Sequence, residues 1–169
     1  MMQARTTGRV GRALAFAGLL FLAPALAHAQ IDFGVRGGFY SDADAGFLGA
    51  ELLTPLRFLG RSWFFNPNLE YVFVDDGSLY TLNFDAHYDL RTGSPFNVWL
   101  GGGPAVIFSE VDPPFGCRRC ESEDETDLGL NLLAGVGFWP RNAIRPYVQG
   151  KLTLSDNTEA SIGFGLRFH

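Results

Sequence analysis

The feature that most limits what this chain can fold into is a strict two-residue alternation of large apolar side chains with small or polar ones, renewed repeatedly from Ile31 to the C-terminus. In the last stretch Ile162, Phe164, Leu166 and Phe168 share one parity, and Ser161, Gly163, Gly165 and Arg167 share the other. The stretch before it sets Ile144, Pro146, Val148, Leu152 and Leu154 against Arg145, Tyr147, Gln149, Lys151 and Thr153. Farther back, Tyr80, Leu82, Phe84, Ala86, Tyr88 and Leu90 oppose Thr81, Asn83, Asp85, His87 and Asp89. Successive side chains of a strand point to opposite faces, so this period specifies β-structure. No apolar stripe of period 3.6 is sustained for a whole helix.

Clusters of Gly, Pro, Asp, Asn and Ser divide the pattern into eight expected strands at residues 31–40, 47–53, 63–73, 79–90, 96–109, 128–138, 144–154 and 160–168. Strands of about ten residues match a tilted crossing of a bilayer. An even number of meandering strands can pair first with last and abolish the sheet edges, which favours a closed, antiparallel, up-and-down barrel.

Residues 1–29 read as a secretory signal peptide. Arg5, Arg9 and Arg12 precede an apolar run from Ala13 to Ala27, followed by His28 and Ala29. The run is about 15 residues long, short of the roughly 20 that a spanning helix needs. Export is therefore expected, with residues 30–169 as one barrel domain, and any membrane crossing by that domain has to use strands. The formal net charge is -5 and Lys151 is the one lysine, which argues against a nucleic acid held through its phosphates.

The expected connections alternate in charge. The odd ones (41–46, 74–78, 110–127 and 155–159) hold Asp42, Asp44, Asp75, Asp76, Asp156, Glu159 and an acidic run in the longest of them. The even ones (55–62, 91–95 and 139–143) hold Arg57, Arg61, Arg91 and Arg141 and no acid. Such a split fits a chain threaded across a membrane with the odd connections outside the cell.

Alternation alone leaves open which face is inside: a soluble lipocalin-like barrel turns its apolar face inward, and a membrane barrel turns it toward lipid. Two features favour lipid. Apolar-parity aromatics gather near the strand ends, with Trp63, Tyr88, Phe96, Phe138 and Phe168 toward one rim and Phe39, Tyr71, Phe73, Tyr80 and Phe108 toward the other, as two interfacial girdles require. The polar parity carries nearly balanced charge, Asp32, Glu51, Glu70, Asp85 and Asp89 against Arg36, Arg145, Lys151 and Arg167, which suits a narrow lumen filled by ion pairs. A symmetric first turn sets Arg36 directly across from Glu51. Eight strands leave an interior just wide enough for side chains, yet the many polar-parity glycines (34, 38, 101, 103, 129, 135, 137 and 163) keep a narrow water path in play. Pro67, Pro104 and Pro146 each remove a ladder hydrogen bond, so bulges or shortened strands are expected there, with Gly101 to Gly103 marking a bend.

At the chain end Ser161, Gly163, Leu166 and Phe168 follow the spacing polar, x, Gly, x, x, hydrophobic, x, aromatic. This resembles the β-signal that outer-membrane proteins present to their insertion machinery, although His169 follows the aromatic on which the pattern usually ends. With the leader, the strand count and the loop alternation, the chain resembles the small outer-membrane β-barrels of the OmpX and OmpA transmembrane-domain type, often described as porin-family barrels. The resemblance implies an eight-stranded transmembrane barrel in a Gram-negative-type outer membrane. Its expected partners are outer-membrane lipid, lipopolysaccharide and the insertion machinery, with a monomeric state. It implies no catalytic centre and no cofactor.

The remaining chemistry is sparse. Cys117 and Cys120 stand in Cys-Arg-Arg-Cys within the longest connection, and in an exported chain a local disulfide is the expected state. A redox role needs a helix N-terminus beneath such a pair, and zinc needs four ligands. The acidic run of Glu110, Asp112, Glu121, Glu123, Asp124, Glu125 and Asp127 has no ordered calcium-loop spacing and reads as a solvated loop, with cation capture or cation-bridged lipopolysaccharide as the sharper alternative. His87 lacks a neighbouring His-x-Ser pair and reads as a lumen histidine, not a catalytic base. Three classes stay open: a structural or surface-interaction protein, a narrow channel, and a soluble periplasmic small-molecule-binding barrel.

Overall fold

The computed structural model describes residues 31–74, 77–90, 95–111 and 123–169. They form β1 (Asp32–Tyr40), β2 (Ala45–Pro55), β3 (Trp63–Val72), β4 (Gly77–Leu90), β5 (Phe96–Val111), β6 (Glu123–Phe138), β7 (Ile144–Leu154) and β8 (Glu159–Phe168). Each strand pairs antiparallel with its sequence neighbour, and β1 pairs with β8 to close the barrel. Residues 1–30 and the Cys117–Cys120 pair lie outside the described residues.

Three expectations need correction. The fifth connection is shorter than the sequence pattern implies, because the β5–β6 ladder continues to Val111 opposite Glu123 and so puts Glu110, Glu125 and Asp127 on strands. The ladder between β6 and β7 starts only at Leu130 opposite Leu154, so this end of β6 has outrun β7. A strand segment that stands clear of the barrel meets water on both faces and needs no apolar parity, which hid it from a pattern reading.

In the first hairpin the turn closes at Tyr40 opposite Ala45, so Arg36 faces Gly49 and Glu51 faces Gly34. The hairpin is centred one position earlier than a symmetric reading of the charges requires. Arg36 and Glu51 therefore meet diagonally, with Nη1 to Oε2 at 3.7 Å.

The prolines cause gaps without bulges. Between β2 and β3 the register is the same on either side of Pro67, from Glu51 opposite Asn68 to Thr54 opposite Phe65, and two pairs are missing between them. The Leu52 carbonyl, which faces a residue with no N–H, instead accepts from Asn66 Nδ2 at 2.8 Å. Pro104 leaves the same two-pair gap between β4 and β5. Pro146 lies just past the end of the β6–β7 ladder at Gly137 opposite Tyr147. A proline thus costs one local interruption and the barrel keeps its register.

Candidate functional site

The polar parity is the buried one. Asp32, Arg36, Glu51, Glu70, Asp85, Lys151 and Arg167 point into the lumen and are buried, while Phe33, Leu52, Leu69, Phe84, Leu100, Leu132, Phe164 and Leu166 lie exposed on the outer wall. Water-soluble proteins bury apolar surface and leave charge outside, so this wall is inverted. Its aromatics form cross-strand pairs toward each end. Trp63 and Tyr88 have ring centroids 5.4 Å apart and Phe96 and Phe138 5.6 Å apart, near the end with the even connections. Tyr71 lies 5.0 Å from both Phe73 and Tyr80 at the other end.

The lumen is filled in three layers. Toward the odd connections, Tyr40, Ala45, Phe47 and Val72 form an apolar cluster, with the Tyr40 and Phe47 rings edge to face at 5.2 Å. Below it the sequence-predicted charges meet. Glu70 accepts from Lys151 Nζ at 2.6 Å, lies 3.2 Å from the Arg36 guanidinium, and also receives the Tyr40 hydroxyl and Thr81 Oγ1. Glu51 is held by Arg167 Nε at 2.7 Å and by Arg36. Asp32 and Arg145 pair at the mouth beside the even connections.

Asp85 is the exception, since among the described residues no cation pairs with it. It accepts from Asn68 Nδ2 at 3.0 Å and from Asn131 Nδ2 at 2.9 Å. Asn131 also donates to Asn83, Asn83 donates to Asn68, and Thr153 donates to Asn131. These asparagines hold a buried carboxylate and are missed by charge counting, because on a strand an asparagine of the polar parity looks like any other small polar side chain.

The third layer closes the other end. Trp99, Leu133 and Tyr147 form a second apolar cluster, the Trp99 indole donates to Gln149 at 3.1 Å, and the Arg167 guanidinium lies 4.9 Å from the Trp99 ring and 4.3 Å from the Tyr147 ring. Two glycines of the polar parity, Gly135 from the set that kept a water path in play and Gly165 outside it, make room for these rings. A Cβ at Gly135 would stand 2.3 Å from the Trp99 indole, and one at Gly165 would stand 2.4 Å from the Tyr147 ring. Two cavities among the described residues are small: about 50 Å³ beside Trp99, His87 and Arg145, and about 30 Å³ beside Tyr40, Thr81 and Thr153. Each is space for a few waters at most.

His87 is 1% exposed, stacks on Phe64 at 5.7 Å, and has Nε2 3.6 Å from Asp89. Among the described residues no group of three or more His, Cys, Asp or Glu could hold a metal ion. On β8, Ser161 and Gly163 take the lumen parity and Leu166 and Phe168 the outer one. The His169 N–H donates to the Ala143 carbonyl at 3.1 Å, and His169 Nδ1 lies 2.5 Å from Asp32 Oδ1, so the residue beyond the pattern ties the chain end to β1.

No family model matches the chain. No curated protein matches it in sequence either. Among solved structures, the N-terminal β-barrel domain of Pseudomonas aeruginosa OprF superposes with a TM-score of 0.65 at 16% identity, covering 83% of this chain and 98% of that one. Neisserial surface protein A gives 0.61 at 17% identity, covering 83% and 94%. Ail, the attachment invasion locus protein of Yersinia pestis, gives 0.56 at 15% identity, covering 83% and 97%, and has also been crystallised with the heparin analogue sucrose octasulfate. The chain has the fold of these small eight-stranded outer-membrane barrels.

Proposed function

We propose that residues 30–169 form a monomeric integral outer-membrane β-barrel with a sealed lumen, exported by a cleaved leader, which acts as a structural and surface-interaction protein through its odd connections. The inverted wall carries this reading. An exterior of Phe, Leu, Ile and Val bounded by aromatic pairs is stable only against lipid, and burying charge is tolerable only where each ion is paired or hydrogen-bonded.

A soluble small-molecule barrel would need an apolar cavity, and here the middle of the lumen is filled by ions and amides and its two ends by packed apolar side chains. A channel would need a path past Trp99 and Tyr147. The odd rim exposes Asp42, Asp44, Glu110, Glu125 and Asp156, so a polysulfated ligand of the kind crystallised with Ail would be repelled, whereas cationic partners and cation-bridged lipopolysaccharide are favoured. Ser161, Gly163, Leu166 and Phe168 would serve as the insertion signal. Cys117 and Cys120 would close a local disulfide, readable by thiol alkylation with and without reductant.

The experiment is migration of the detergent-extracted protein on a denaturing gel, unheated against boiled, together with membrane fractionation. Outer-membrane recovery with a shift on boiling is expected. Recovery in the soluble periplasm without a shift would overturn the reading.

A further inference from the structure

We infer that the β2–β3 and β6–β7 turns form a docking surface for anionic phospholipid headgroups; the inference rests on the membrane reading above. The β2–β3 turn carries the first half of it. Leu56 N donates to the Trp63 carbonyl at 2.9 Å, Leu59 N to Leu56 at 3.0 Å and Gly60 N to Arg57 at 3.3 Å. Gly60 has φ of 123°, a conformation that favours glycine. This bonded turn presents Phe58 at 81% and Leu59 at 53% exposure, between the exposed Arg57 and Arg61. The β6–β7 turn adds Trp139, 57% exposed at φ 49°, two residues before the exposed Arg141.

Both turns continue the aromatic band. Trp63 follows the first turn directly and pairs with Tyr88, while Trp139 lies 6.4 Å from Phe138. Among the described residues no exposed acid lies at this rim. Asp32 is buried against Arg145, and Asp89 is half-buried and accepts from Asn97 at 2.9 Å. Guanidinium forks match phosphate oxygens in pairs, and tryptophan beside exposed apolar side chains is the composition of a headgroup layer. Water offers Phe58 and Leu59 nothing, and a headgroup layer continuous with the apolar wall accepts them along with their arginines. Each arginine at an anionic surface raises local lipid occupancy by about fivefold. The opposite rim is acidic, so the surface also sets which end of the barrel meets the anionic leaflet.

The tryptophans supply the reporter, since Trp63 and Trp139 belong to this rim and Trp99 is sealed in the lumen. The folded barrel is reconstituted in vesicles, and quenching by brominated phosphatidylglycerol is compared with quenching by brominated phosphatidylcholine. Preference for the anionic lipid by about fivefold or more is expected. It should fall toward one in R57Q/R141Q, which changes two exposed side chains and should still shift on boiling. It should fall likewise in the unmodified chain at roughly 1 M salt, where screening acts within about 3 Å, so the test does not depend on the variant folding. Equal quenching by both lipids, or a preference that survives both salt and substitution, would overturn the docking surface and leave the membrane barrel standing. Quenching by neither lipid, with no shift on boiling, would overturn both.

Discussion

Glu70 and Asp85 face the same lumen from neighbouring strands, and neither has measurable exposure, yet they are held by different chemistry. Glu70 sits between Lys151 and Arg36, with two hydroxyls completing its shell. Asp85 is held by the amides of Asn68 and Asn131, within a web that runs on to Asn83 and Thr153. A carboxylate inside a narrow barrel can therefore be stabilised by opposite charge or by converging neutral donors. The ionic solution fails abruptly when one member is lost, because the partners left behind are buried charges. The amide solution loses individual hydrogen bonds and fails gradually.

The largest effect should come from Glu70→Ala, which strands Lys151 and leaves Arg36 only its longer contact with Glu51. A loss of about 3–5 kcal/mol is expected from urea unfolding in detergent, followed by the gel shift. The double variant Glu70→Ala with Lys151→Gln removes one charge of each sign and, with the two single variants closing a double-mutant cycle, should recover more than half of that loss. No recovery would mean that the two residues are not coupled. On the amide side, Asn131→Ala removes the bonds to Asn83, Asp85 and Thr153 and should cost about 2 kcal/mol in the same assay. A cost as large as that of Glu70→Ala would erase the contrast between the two clusters. The smallest effect is expected from His169→Ala. The His169 side chain is half exposed where it meets Asp32, so the change should be below about 1 kcal/mol, and boiling should still shift the band.

The contrast also explains what was legible in the sequence. The strands could be read because a barrel wall imposes period two on whatever spans it, and the ion pairs followed from opposite charges sharing the polar parity, except at Asp85, which has amide partners in place of a cation. The amide web carries no such mark, since Asn68 and Asn83 face each other across the β3–β4 hairpin as two ordinary small polar residues, and Asn131 joins them only across the lumen from β6. The plug was hidden for a related reason. Trp99 and Tyr147 sit on the parity where large rings are not expected, and only cross-strand neighbours such as Gly135 and Gly165 reveal the space for them. The position of Arg36 failed by one step of hairpin centring. The acidic end of β6 failed because a strand with water on both faces carries no alternation to read.

The central claim, that the apolar parity meets lipid, is tested most directly by a spin label placed at Phe164, mid-way along the outer face of β8, with a second label at Ser155 beyond the end of β7 as the aqueous reference. The labels go into a background with Cys117 and Cys120 replaced by serine, reconstituted in vesicles. The Phe164 label is expected to collide mainly with oxygen dissolved in the bilayer and little with a water-soluble paramagnetic chelate, while the Ser155 label shows the reverse. Equal chelate collisions at both positions would mean that the Phe164 face is bathed in water, and the inverted wall would lose its lipid.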